Sequence, residues 1–352
     1  MKTANLLIIA ILTLTLVGGK AQDIHFSQFG NSPLNLNPAL TGIFEGDRRF
    51  IANVRGQWND TPDPDPLTYR TLSLAYDMSF PNKNYQKRFL SAGVLLNYDR
   101  AGDSKLTTFN LGLTASYTIR VTDGLYLSAG GMFAYNNRSF DFGDLQFDEQ
   151  YDTGQEFSVP QFNPDLGNGE SFAPNPSVNL FDVSGGFNIH YRHPQRLKRI
   201  SADLGVGFMH FNEPEQAFFS EDDKEVLPRR NSIYGLSSIQ LFDSKWDVLV
   251  NATHQFQGQH RETLIGGGLA YHHKWGQEEG YDIQLMVSRR LKDNWIPMIG
   301  FQHRNWRVTG SYDWNTAPFR APSLRRVGYE LSIIHIWSTV KDVPTKICPV
   351  YL

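Results

Sequence analysis

From Thr108 to Val121, apolar and polar residues alternate without a break. Phe109, Leu111, Leu113, Ala115, Tyr117, Ile119 and Val121 stand on one side, and Thr108, Asn110, Gly112, Thr114, Ser116, Thr118 and Arg120 on the other. Successive side chains of a strand point to opposite faces, so this is a strand with one greasy and one wet face. Residues 181–192 repeat the pattern: Phe181, Val183, Phe187, Ile189 and Tyr191 face one way, and Asp182, Ser184, Asn188, His190 and Arg192 the other. Fourteen such segments are predicted, at about 48–58, 67–79, 88–99, 105–121, 124–136, 179–192, 199–210, 229–242, 245–256, 261–274, 279–290, 294–302, 305–315 and 325–337. Helical spacing is sustained only at the extreme amino terminus.

These segments exceed the roughly 5–6 residues usual for strands of soluble sheets, and they suit the roughly 9–11 residues that cross a bilayer. An even number is what a single-chain outer-membrane barrel requires. The connections agree. The long ones, 59–66, 137–178, 211–228 and 316–324, all follow odd-numbered segments, which places them at one end. Thr122-Asp123, Asp243-Ser244 and His303-Arg304 are tight turns at the other end, where 80–87 is the exception. Outer-membrane barrels keep long loops outside and short turns in the periplasm. Trp58, Tyr98, Tyr135, Trp246, Trp275, Trp295, Trp306, Trp314 and Trp337 fall near segment ends, where interfacial girdles belong.

Lys2, the apolar run Leu6–Val17 and the small residues before Ala21 form an export signal, with cleavage expected after Ala21. The expected organisation is therefore a signal peptide over 1–21, a periplasmic segment over 22–47, an all-β transmembrane barrel of about fourteen antiparallel strands over 48–337, and a periplasmic tail over 338–352. Composition narrows the partners. A net charge of −3 gives no basic field for nucleic acid, and a single Cys in 352 residues excludes an internal disulfide scaffold or a cysteine-rich zinc site.

In the polar phase of the strands stand Asp77, Asp182, Asp203, Asp247, Asp282, Asp313 and Glu330, with Arg120, Arg192, Arg290 and Arg307. In a barrel these charges line the lumen. They read as a polar path, as a docking surface for a plug, or as ion pairs that fill the interior. Asp141, Asp144, Asp148, Glu149 and Asp152 share a loop, but their spacing matches no EF-hand. His272 and His273 are neighbours on one strand, point to opposite faces and cannot chelate together, even with His254 and His260 nearby. Ser184 and His190 share a face without a recognisable supporting acid. Gly266-Gly267-Gly268 lies within a strand, with no helix after it to receive a phosphate. No catalytic residue, metal or cofactor is expected.

Before the first strand comes His25-Phe26-Ser27-Gln28-Phe29, then Asn37-Pro38-Ala39-Leu40-Thr41-Gly42, a stretch of turn-forming residues and aromatics expected to pack at the periplasmic mouth. It resembles the opening of the PorP/SprF family of type IX secretion system membrane proteins. Arg55-Gly56-Gln57-Trp58 is similar to that family's next element. Cys348-Pro349-Val350-Tyr351 is similar to its closing motif, with Val350 where an arginine is usual. The resemblance implies an outer-membrane barrel of Bacteroidota type, without catalytic residues, serving the machinery that carries folded cargo to the cell surface. It implies as partners a large secreted adhesin with a C-terminal sorting domain, of the kind used in gliding motility, together with type IX ring and peptidoglycan-linked components. His25, Phe26, Ser27, Gln28, Phe29, Asn37, Pro38, Ala39, Thr41, Gly42, Cys348 and Pro349 would be the partner-binding positions. A diffusion channel is the alternative, and an outer-membrane hydrolase using Ser184 and His190 a third.

Overall fold

The computed structural model describes residues 23–57, 69–81, 88–102, 105–141, 151–152, 161–162, 177–195, 198–217, 225–274, 279–316 and 328–338. The strands are β1 (Arg48–Gln57), β2 (Tyr69–Pro81), β3 (Arg88–Ala101), β4 (Leu106–Thr122), β5 (Leu125–Ser139), β6 (Tyr151–Asp152), β7 (Gln161–Phe162), β8 (Ser177–Arg192), β9 (Ile200–Met209), β10 (Arg230–Gln240), β11 (Trp246–Gln257), β12 (His260–His273), β13 (Tyr281–Arg290), β14 (Asn294–His303), β15 (Trp306–Asn315) and β16 (Gly328–Trp337). All but β6 and β7 form one closed antiparallel barrel in which each strand pairs with its neighbours in sequence, β5 pairs with β8, and β1 closes on β16. The short β6–β7 pair sits apart in the longest loop. The fourteen barrel strands match the expected segments to within three residues at either end.

The burial is inverted relative to a soluble protein. On β4, Thr118 is 0% exposed and Leu113 is 59% exposed. On β8, Asp182, Ser184 and Asn188 are buried while Phe181, Val183, Phe187 and Ile189 lie open. The same holds on β13, where Ile283, Leu285 and Val287 face outward. A sheet that hides its hydroxyls and carboxylates and shows its leucines is at equilibrium only in hydrocarbon. Closure satisfies the edge strands that lipid would leave unpaired. Trp246, Trp306 and Trp337 mark one rim, and Tyr98, Trp295 and Trp314 the other. Trp295 pairs across the ladder with Trp314 and carries the Arg289 guanidinium 4.9 Å over its ring.

The long connections, between β1 and β2, β5 and β8, β9 and β10, and β15 and β16, leave from one end, taken as the outer end. Part of the β9–β10 connection folds back as a small hairpin, with Glu215 bridged to Val226. The signal peptide, Trp58, Trp275, Asp144, Asp148, Glu149 and the tail positions Cys348 and Pro349 lie outside the described residues.

One expectation needs correction. The segment before β1 does not sit at the periplasmic mouth. It enters the lumen near the outer end, makes three short helical turns (Phe29–Asn31, Pro33–Leu36 and Pro38–Leu40) and leaves at the inner end into β1. Its dense hydrogen-bonding and apolar groups find more partners inside the barrel than a rim could offer.

Candidate functional site

The site is this threaded plug and the wall that receives it. Its path is read from its partners. Asp23 meets the outer ends of three strands: its amide donates to Gln257 (3.1 Å), and its carboxylate lies against His210 and 3.6 Å from Arg230. His210, just past β9, is held between Asp23 and Asp182, with Nδ1 3.0 Å from Asp182. At the inner end, the Gly42 amide donates to Asp77 (2.8 Å) and the Asp47 amide to the Trp337 carbonyl (2.8 Å). The chain therefore spans the barrel from one mouth to the other.

The electrostatics of the outer latch follow from burial and charge together. Burial alone would raise the Asp23 carboxyl, but His210 and Arg230 outweigh it and hold it well below the usual carboxylate range. Burial would lower His210, but the Asp23 and Asp182 carboxylates raise it to about 9. His25 goes the other way. Burial and the Arg55 and Arg290 guanidiniums lower it against the pull of Glu262, 3.5 Å away.

Below the latch, the first motif is clamped by charge. Glu330 accepts from the amides of Ser27 (2.7 Å) and Gln28 (2.9 Å), and Asp313 accepts from the Ser27 hydroxyl (2.9 Å). Arg290 donates to Ser27 Oγ (2.8 Å), and Arg55 sits 3.2 Å from Glu330. Buried carboxylates are tolerable here because each meets a guanidinium and plug donors. The Gln28 side chain donates to Ser311 (2.9 Å) and to the Glu330 carbonyl (3.1 Å).

The second motif is fixed by Asn37. Its Oδ1 accepts from the Ala39 amide (2.9 Å), capping the last helical turn. Its Nδ2 donates to the carbonyls of Phe187 (2.9 Å) and Val206 (3.0 Å) and to Tyr234 Oη (3.0 Å). The wall makes room for it: a Cβ at Gly186 would lie 2.1 Å from Asn37 Oδ1, and one at Gly130 would lie 2.7 Å from the Ala39 backbone. Thr41 bonds Thr114 (3.0 Å), and Gly42 turns at φ +75°, a conformation that favours glycine. Asp77 then takes both Gly42 and a bidentate Arg49, at 2.7 and 3.0 Å.

Apolar plug residues land on apolar wall residues that interrupt the polar phase. Leu34 packs with Ile51, Ala75, Leu95 and Ile334. Phe29, Leu36 and Leu40 pack with Tyr234, Leu264 and Ile296.

Sequence reasoning singled out the motif residues and the lumen charges separately, and the structure joins them. Phe26, Ser27, Gln28, Phe29, Asn37, Pro38, Ala39, Thr41 and Gly42 are all buried, with His25 half-buried, and they contact the barrel's own wall. A partner could reach them only if the segment left the lumen. Asp77, Asp313, Glu330 and Arg290 hold the plug and Asp182 holds His210 against it, while Asp203 pairs with His190 and Asp247 and Asp282 flank His272. Arg192 pairs with Glu45 of the plug segment, Arg120 with Asp123 at the inner rim, and Arg307 bonds Gln302. His273 points outward and stacks on Tyr281. Ser184 bonds Asp182 and His190 bonds Asp203, so the two are not joined as nucleophile and base. Among the described residues no group of three or more His, Cys, Asp or Glu is placed to hold a metal ion. The signal that could have revealed the plug was the set of aliphatic residues in the wet phase, Ile51, Leu95, Leu264 and Ile296.

The inverted barrel, its girdles and its loop asymmetry define an outer-membrane β-barrel protein. Among solved structures, a Pseudomonas aeruginosa FadL homologue shares this architecture at TM-score 0.50 and 11% identity, over 85% of this chain and 91% of its own. The P. putida toluene transporter TodX matches at TM-score 0.40 and 8% identity, over 86% and 93% of the two chains. At 11% identity the first of these speaks for the fold alone. No curated protein matches the chain. The family model of the type IX secretion system membrane protein PorP/SprF matches residues 18–333, and the chain belongs to that family.

Proposed function

We propose that this protein is a non-enzymatic docking component of type IX secretion that supports secretion or surface anchoring of a large adhesin with a C-terminal sorting domain, as in gliding motility. The observation that carries the reading is the plug. A lumen filled by the chain's own segment, hydrogen-bonded from one mouth to the other, offers a partner surfaces and not a passage. This weighs against the diffusion-channel alternative.

On this reading the outer loops, 137–178 and 211–228, meet the cargo, and the inner rim meets ring and peptidoglycan-linked components. Affinity purification from gently solubilised outer membranes, followed by mass spectrometry, tests it. Recovery of a surface adhesin with type IX ring proteins is expected. Recovery of the barrel alone, under conditions that keep other membrane complexes intact, would overturn it. Deleting 137–178 should release the adhesin while the barrel stays heat-modifiable on a gel. Retention after that deletion would remove the loop from the account.

A further inference from the structure

We infer that the inner turn between β10 and β11 is a prebuilt docking knob, with Phe242 as its anchor, for a periplasmic protein that presents an apolar pocket rimmed by carboxylates. Phe242 is 93% exposed, and no large apolar side chain among the described residues is more so. Its φ is +50°, a left-handed turn conformation that a bulky side chain adopts only under strain.

The strain is braced from below. The Leu241 amide donates to the Trp246 carbonyl (2.9 Å), and the Ser244 amide to the Leu241 carbonyl (3.1 Å). Arg199 Nη2 donates to the Ser244 carbonyl (2.8 Å) while Arg199 Nε bonds Asp247 (3.0 Å), and Gln240 adds a second donor to Ser244 (3.1 Å). A turn tied this way keeps its shape without a partner, and a preorganised aromatic anchor loses little freedom on binding.

Position and charge decide the occupant. Trp246, its ring tilted against Tyr271 with centroids 4.9 Å apart, marks the interfacial belt on this side, and the turn projects beyond it along the barrel axis. Phenylalanine lacks the polar handle of Trp or Tyr, so a lipid anchor would sit at or below that belt and not past it. Lys245 in the turn and Lys198, next in the chain to the bracing Arg199, are exposed and make no ion pair among the described residues. Asp243 is the one carboxylate of the turn itself. Two cations against one anion around an aromatic knob complement an acidic rim around an apolar pocket. The knob lies at the end opposite the long loops, so the inference rests on the reading that the inner rim meets periplasmic components and not on the cargo assignment.

The test is a benzophenone amino acid placed at 242 and photo-crosslinked in intact cells. The expected product is one discrete protein adduct, at least tenfold weaker when Lys198→Glu and Lys245→Glu are added. Adducts to phospholipid alone, absence of any adduct, or a protein adduct indifferent to the charge reversal would each overturn the inference. Phe242→Gly provides a second arm, because glycine accepts the positive φ and keeps the turn folded. It should leave the barrel heat-modifiable but lower co-purification of the crosslinked protein at least tenfold. Unchanged co-purification would also overturn the inference.

Discussion

Replacing Asn37 with alanine probes the deepest point of the plug. The side chain is wholly buried, and its loss strands the Ala39 amide and takes a second donor from the Phe187 and Val206 carbonyls, which keep their places in the β8–β9 ladder. Tyr234 keeps its own bond to Asn188 (2.9 Å) and is not orphaned. A buried polar group left without a partner costs about 1–3 kcal/mol, so the orphaned amide alone weighs about that much against the docked plug. At about 1.4 kcal/mol per factor of ten, even the lower figure raises the undocked population roughly fivefold. The readout is maleimide labelling of a cysteine at Thr41, which is fully buried when docked, in a Cys348→Ser background. When redocking outpaces labelling, the rate reports the open population. Asn37→Ala should label at least roughly fivefold faster than the parent while the barrel remains heat-modifiable. Equal rates would refute the claim that Asn37 holds the segment in the lumen.

Three further outcomes are expected. His210 is raised from 6.5 to about 9, so its stabilisation is complete below pH 6.5 and is lost as pH rises through about 9. Asp23 lies below its ordinary 3.8, so its share persists above that pH and fails only in stronger acid. Labelling at position 41, divided at each pH by the labelling of the same cysteine in the unfolded chain to remove thiol ionisation, should therefore rise between pH 6.5 and 9.5, and His210→Ala should flatten that rise; a normalised parent profile already flat would count against the latch. An epitope inserted directly before Asp23, following signal cleavage, should be reached by antibody on intact cells, because Asp23 lies at the outer mouth; staining only after permeabilisation would reverse the threading direction. Leu285→Arg puts a charge on the lipid face, flanked by Leu269 and Ile299, and should cost about 2–4 kcal/mol and deplete the folded band. An undiminished band would argue against a bilayer belt at that height.

The barrel was legible because its strands alternate so strictly. Thr114, Ser116 and Thr118 interleaved with Leu113, Ala115 and Tyr117 leave no other period to read, and loop parity then supplied the orientation. The plug was not legible as a plug. Its helical turns are of three or four residues, too short to show a period, and its bonds run to residues up to 303 positions away, as from Ser27 to Glu330. The lumen charges were found, but their partners were not, because a carboxylate in the polar phase reads the same whether it faces water, an arginine or a buried amide. The His-Phe-Ser-Gln and Asn-Pro-Ala stretches stood out as motifs, and only their contacts reveal that they face inward.

Planar-bilayer conductance tests the central claim most directly, comparing the intact barrel with one lacking residues 23–42. The account predicts that the intact protein is silent and the deleted one conducts steadily, because the wall around the plug is lined by Asp77, Asp182, Asp313, Glu330, Arg55 and Arg290 and fills with water once the segment is gone. Steady conductance from the intact barrel would contradict it and make the lumen a path.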